Sequence, residues 1–111
     1  MVLTFQEIAK MKIVFGINEL AKWNLVNANV VNLPVEDPTL EIVVVAFSEA
    51  VTFYTEPDFI PHPKATYFAC NNSVQTRIDD KTKINEVVNL TNSGVYKIVT
   101  LQKQGYHYIS A

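Results

Sequence analysis

Apolar residues along this chain fall into short runs and alternations rather than long helical stripes. Met11, Ile13, Phe15 and Ile17 alternate with Lys12, Val14 and Gly16, the period-two pattern of a strand. Leu40 to Phe47 is an almost unbroken apolar run, which predicts a strand buried on both faces. Val51–Thr55, Lys64–Cys70, Ser73–Ile78, Lys83–Leu90, Val95–Gln102 and Tyr106–Ser110 extend the strand set, with polar links between them. Asn18–Val26 suits either a helix or a strand, and Asn18–Trp23 is read as a helix with Asn18 as its cap. Ahead of these, Thr4-Phe5-Gln6-Glu7 has the form of a capping box and predicts a short helix from Phe5, with Ile8 and Ala9 inward.

The breakers divide these segments. Pro34 and Pro38 bracket an acidic turn, Val35-Glu36-Asp37. Three prolines in Glu56–Pro63 predict an extended surface loop, and Asn71-Asn72 tolerates a turn. Gly94 and Gly105 each end a polar link and are read as the left-handed residues that close type I turns. Links this short leave no room for crossover helices, so the connections are expected to be antiparallel. The expected fold is mainly β: a small antiparallel barrel or sandwich with a short N-terminal helix, forming a single domain over residues 1–111.

Composition sharpens this picture. A hydrophobic fraction of 49% with 18% charged residues belongs to a folded chain with one core. Fifteen Val, nine Ile and nine Thr favour strands, because their branched side chains pack well on a pleated surface. A mean hydropathy of +0.11 is apolar for so short a chain, so part of its surface is expected to meet another subunit. The alternative is a well-filled core under a neutral exterior rich in its ten Asn.

A formal charge of −2 gives no general cationic field, which argues against nucleic acid as a partner. The charge is nevertheless segregated. Residues 34–63 hold six carboxylates and no Lys or Arg, whereas residues 64–111 hold six basic side chains against Asp79, Asp80 and Glu86. The single cysteine, Cys70, allows no internal disulfide, and the start of the chain has no basic segment followed by an apolar one. The longest apolar run, Ile42–Phe47, is far below the roughly 20 residues of a membrane helix. A cytoplasmic protein, or a virion protein if phage-encoded, is the expectation. With no export signal, Asn71 and Asn89 in their sequons read as turn and strand residues.

Candidate chemistry is sparse. Cys70 with His62 or His107 would supply a thiolate–imidazole pair, but Cys70 closes the apolar stretch Tyr67-Phe68-Ala69 and reads as a buried structural thiol. Asp58, His62 and His107 would be the ligands of a metal site, without a recognised spacing. Glu36-Asp37 and Asp79-Asp80 are adjacent pairs in turns, not an acid–base pair facing across a cleft. No phosphate-binding glycine loop occurs, and no cofactor is expected. Tyr96, Lys97, Lys103, Tyr106 and Tyr108 cluster aromatic and basic residues late in the chain. They form the candidate interaction surface, as a stacking platform on a small barrel or as cross-strand packing.

Asn92-Ser93-Gly94-Val95-Tyr96-Lys97-Ile98, continuing through Gly105 to Ser110, resembles the closing β-hairpin of tailed-bacteriophage tail and baseplate hub proteins. In those proteins a glycine–hydrophobic–Tyr–Lys–Ile strand is followed by a polar turn and an aromatic strand. The resemblance covers residues 92–110 and implies a non-enzymatic β domain that assembles with other virion subunits. The leading expectation is therefore a non-enzymatic structural or interaction protein acting as a homo-oligomer or with other protein subunits. A small-barrel module binding a ligand or single-stranded nucleic acid is the alternative, and a small enzyme with a site at a subunit interface is the second.

Overall fold

The computed structural model describes residues 10–110; the expected Thr4–Glu7 capping box and its helix lie outside them. Five strands, β1 (Lys12–Ile17), β2 (Glu41–Ala46), β3 (Ala65–Cys70), β4 (Asn89–Thr91) and β5 (His107–Ser110), form one sheet in the order β4-β3-β2-β1-β5. Every pairing is parallel, with Ile13 level with Ile42 and His107, and Cys70 level with Thr91. The fold is α/β. This corrects the mainly β, antiparallel barrel or sandwich expected above, and the cause lies in segments whose strand-like composition is folded as helix.

The interior strands form as their sequence predicts. Five consecutive residues are buried in β1 and five in β2, which is the signature of strands covered on both faces. Burial on both faces is itself incompatible with a sheet that turns one side to water, so the apolar run at Leu40–Phe47 already favoured a parallel sheet.

One face is covered by α1 (Trp23–Glu36), the 3₁₀ helix Ser48–Thr55 and α2 (Asn71–Arg77). In α1, Trp23, Val26 and Val30 recur at helical spacing and are buried, so the region left open between helix and strand is helical well beyond Trp23. The helix runs through Pro34, which sits in its last turn, and closes with the Asp37 N–H donating to the Leu33 carbonyl at 3.0 Å. The acidic turn therefore begins at Asp37, not at Val35. Val51 and Tyr54 are buried at a spacing of three, the period of a 3₁₀ turn, where a strand was expected. Val74 and Ile78, four apart, are buried by α2 and its end, where Ser73–Ile78 was expected to be a strand. Of Lys83–Leu90 only Asn89 and Leu90 enter the sheet.

The other face is covered by α3 (Gly94–Lys103), again in place of an expected strand. Its start is set by Ser93, whose Oγ accepts the Tyr96 N–H at 3.2 Å, and it buries Ile98 and Leu101. Gly105, at φ 97°, makes the expected left-handed turn, but into a parallel edge strand. Residues 92–110 thus form a helix followed by a strand, not two antiparallel strands. No helix among the described residues is long and apolar enough to cross a membrane.

The two cores are unequal. Among the described buried residues, the α1/α2 face joins Phe15, Trp23, Val44, Tyr54, Phe59 and Tyr67 with many others, whereas the α3 face joins only Val14, Val43, Val45, Ile98 and Leu101. The proline-rich loop reaches the larger core through Phe59, 4% exposed, whose ring meets those of Tyr54 and Tyr67 edge-on at 4.9 and 5.1 Å.

Candidate functional site

In a parallel sheet, ligands bind beyond the carboxyl ends of the strands, where neighbouring strands send the chain to opposite faces. That condition is met between β3 and β4. From β3 the chain enters α2, whose Val74 lies in the larger core; from β4 it enters α3, on the opposite face. Cys70 is the last residue of β3 and stands at this fork.

Alternation along β3 places Tyr67 and Ala69 in the larger core and turns Phe68 and Cys70 to the α3 side. The first turn of α3 closes over the thiol. A Cβ on Gly94 would lie 3.1 Å from the Cys70 Cβ and 3.2 Å from the Phe47 Cβ, so the helix approaches this closely only because residue 94 is glycine. Cys70 also holds the N-cap position of α2, without capping it through its side chain. The thiol therefore sits beside the amino ends of two helices.

The environment moves its acidity. Burial pushes the Cys70 thiol up and is the largest single influence. The backbone N–H groups of Gly94, Ser73 and Asn72 and the Ser73 hydroxyl together outweigh it by favouring the thiolate, so the pKa falls below the ordinary thiol value. The residue is 7% exposed, while Asn72, two residues on, and Asn92, two residues before Gly94, are open to solvent.

A polar chain begins three residues past the thiol. Ser73 Oγ accepts the Ser48 N–H at 2.7 Å, and Ser48 Oγ accepts from an Arg77 terminal nitrogen at 3.1 Å. Ser48 begins the 3₁₀ helix after β2 and has φ 56°, the one non-glycine residue with positive φ among those described. Ser73 and Arg77 are four apart on α2 and share a helix face.

The other candidates fall elsewhere. His107 is level with Ile13 and Ala65 is level with Ile42, so His107 lies at the amino end of the sheet, five residues before the level of Cys70, about 16 Å along the strands. His62 precedes β3, where its N–H donates to the Tyr67 hydroxyl and its Nδ1 accepts the Lys64 N–H. Neither imidazole adjoins the thiol. Asp58 and His62 line a cavity of about 370 Å³ between α1 and the proline-rich loop, and His107 is not part of it. Asp37 and Asp80 accept from Thr39 and Thr82, so each carboxylate stabilises its own turn.

The late aromatic and basic residues are divided between two elements. Tyr96 lies on α3 at 69% exposure, Lys97 places its Nζ 4.4 Å from the centre of the Phe68 ring, and Lys103 is in the last turn of α3. Tyr106 donates to Glu41 Oε2 at 3.1 Å, and Tyr108 belongs to β5. In the sequence the thiol stands alone; Gly94 comes against it and Ser48 comes against Ser73 only through the crossovers, and Arg77 joins them by its hydrogen bond to Ser48.

No protein-family model matches the chain, and no curated protein matches it. Among solved structures, the chain is similar to MTH1491 of Methanobacterium thermoautotrophicum, a protein of unknown function, with a TM-score of 0.82 and 26% identity over 92% of this chain and all of that one. It is also similar to the YchN protein of E. coli, with a TM-score of 0.69 and 9% identity over 92% of this chain and 99% of that one. The second likeness is one of fold alone.

Proposed function

We propose that the protein works through Cys70, as a single thiolate that takes up a group from a sulfur electrophile and passes it to another thiol. The observation that carries this reading is the thiol's place at the fork between β3 and β4, with hydrogen-bond donors that favour its ionised form. Hydrolytic chemistry needs a general base, and both described histidines are away from Cys70. Sulfur exchange needs none. The Cys70 sulfur attacks one sulfur of a disulfide, an S–S bond to Cys70 forms, the original S–S bond breaks, and the other half leaves as thiolate. A second thiol then repeats the exchange and releases Cys70. With no other cysteine in the sequence, that thiol comes from another molecule.

The test is alkylation by iodoacetamide over a pH series, on the folded chain and on the same chain in urea. The expected result is a reactivity midpoint at lower pH in the folded protein. A midpoint at or above that of the unfolded chain, or a folded thiol inert at every pH, overturns the reading.

A second reading is favoured by the outer side of α3, where Val95, Tyr96 and Val99 are 58%, 69% and 53% exposed. This apolar stripe fits a second copy of the chain and supports a homo-oligomer. Light scattering over a concentration series is expected to give a multiple of 12.5 kDa, reduced by joint Val95→Ser and Val99→Ser substitution. A wild-type monomer at every concentration removes it.

A further inference from the structure

We infer that the cavity between α1 and the proline-rich loop binds a small organic cation: an amine on an apolar body whose far end accepts a hydrogen bond. Its volume of about 370 Å³ is that of a small-molecule site. Val30 and Val31 of α1 line one side, and Ile60, Pro61 and Pro63 of the loop line the other. The loop side is stiff before any ligand arrives. Pro57, Pro61 and Pro63 fix its backbone, and Phe59 anchors it in the larger core against Tyr54 and Tyr67. A wall built this way loses little freedom when a ligand binds.

The polar lining groups state what the ligand must carry. Tyr67 is 2% exposed, and its hydroxyl accepts the His62 N–H at 3.0 Å. Among the described residues that hydroxyl donates to no acceptor, which leaves a buried proton donor beside the cavity. Burial pushes its pKa up, so the proton stays on the oxygen. A donor left over in a mostly apolar site calls for an acceptor atom. Asp58 is exposed and is the one carboxylate of the lining, which holds no Lys or Arg. Among the described residues the ion pairs are Lys10–Glu41 and Lys22–Glu19, so Asp58 is in none. Lys64, the basic residue nearest to it in sequence, donates from Nζ to the Pro38 carbonyl at 3.3 Å, and His62 Nδ1 accepts the Lys64 N–H. The site therefore carries an uncompensated negative charge, which holds an ammonium and repels a carboxylate. Tyr67 faces the larger core and Cys70 the α3 side, so this site stands independently of the thiol reading.

The experiment titrates the isotope-labelled full chain and follows the amide shifts of Val30, Val31, Ile60 and His62. The probes are tyramine, phenethylamine, which lacks the phenol oxygen, and hydroxyphenylacetate, which carries a carboxylate in place of the amine. Tyramine is expected to bind with a Kd of about 1 mM, phenethylamine severalfold more weakly and hydroxyphenylacetate more than about tenfold more weakly. Asp58→Asn is expected to remove the preference for amine over carboxylate. Tyr67→Phe keeps the ring and is expected to remove the preference for tyramine over phenethylamine. If Tyr67→Phe fails to fold, Asp58→Asn, at an exposed position, decides the matter with the amine and carboxylate probes. No shifts at these residues up to about 10 mM tyramine overturn the inference. So does an equal response to amine and carboxylate, or a preference for the amine that Asp58→Asn leaves intact.

Discussion

The two faces of the sheet are built to different depths. On one, α1, the 3₁₀ helix Ser48–Thr55 and α2 enclose a core in which the Trp23 ring lies 5.0 Å from Phe53, 5.3 Å from Tyr54 and 6.0 Å from Phe59. On the other, α3 is the one described helix over the centre, and Phe68 and Tyr106 remain half-buried at its margin. The deep face holds the fold together, and the candidate thiol lies on the thin face, at the carboxyl end of β3. Cys70 opens toward the thin one, where the cover is a single helix terminus rather than a packed aromatic layer.

This contrast can be broken by substitution, beginning with the largest effect. Trp23→Ala removes a ring that is 2% exposed and the indole N–H donating to the Ala50 carbonyl at 2.9 Å. It is expected to cost about 3–5 kcal/mol, read from denaturant midpoints. Ile98→Ala on the thin face is expected to cost about 2 kcal/mol, since its site is smaller and closer to solvent. Equal losses at the two positions would show that the faces contribute alike. Ser93→Ala removes the cap of α3 and is expected to cost about 1 kcal/mol, while raising hydrogen exchange in α3 more than in α1. Tyr96→Ser, on the exposed side of α3, is expected to stay within about 0.5 kcal/mol in thermal melts at low concentration.

The smallest effect is a slope with pH. The Cys70 pKa is lower in the folded chain than in the unfolded one, so its ionisation adds stability that is full above the unfolded thiol pKa and is lost as pH falls through the folded one. The stability difference between wild type and Cys70→Ala should therefore shift in favour of wild type as pH rises through that interval. A difference flat with pH would mean that the thiol is held equally in both states.

Much of the sheet was legible. β1, β2, β3 and β5 all fall on segments read as strands, because apolar runs and alternation report burial directly. The helices were not. Val95-Tyr96-Lys97-Ile98-Val99-Thr100 is rich in branched and aromatic residues that favour strands, yet Ser93 caps it as a helix, and Ile98 and Leu101 alone decide its inner side. With Val51–Thr55, Ser73–Ile78 and Val95–Gln102 read as strands, the links between them are too short for crossovers, and the antiparallel expectation follows from that reading alone. The site was legible only as a cysteine at the end of an apolar strand. Ser48 meets Ser73, three residues past it, because β2 and β3 run parallel, so that their carboxyl ends lie side by side.

The position of β5 bears on how the chain is made. Its partner is β1, with Ile13 level with His107, so β1 acquires its second neighbour only after almost every other described residue has been synthesised. A nascent chain arrested before residue 107 can pair β1 with β2 but leaves its other edge unpaired, a template for another chain. Closing that edge depends on contacts remote in sequence, which slows folding. Truncations that remove β5 are therefore expected to aggregate during expression, before any loss of chemistry at Cys70 can be measured.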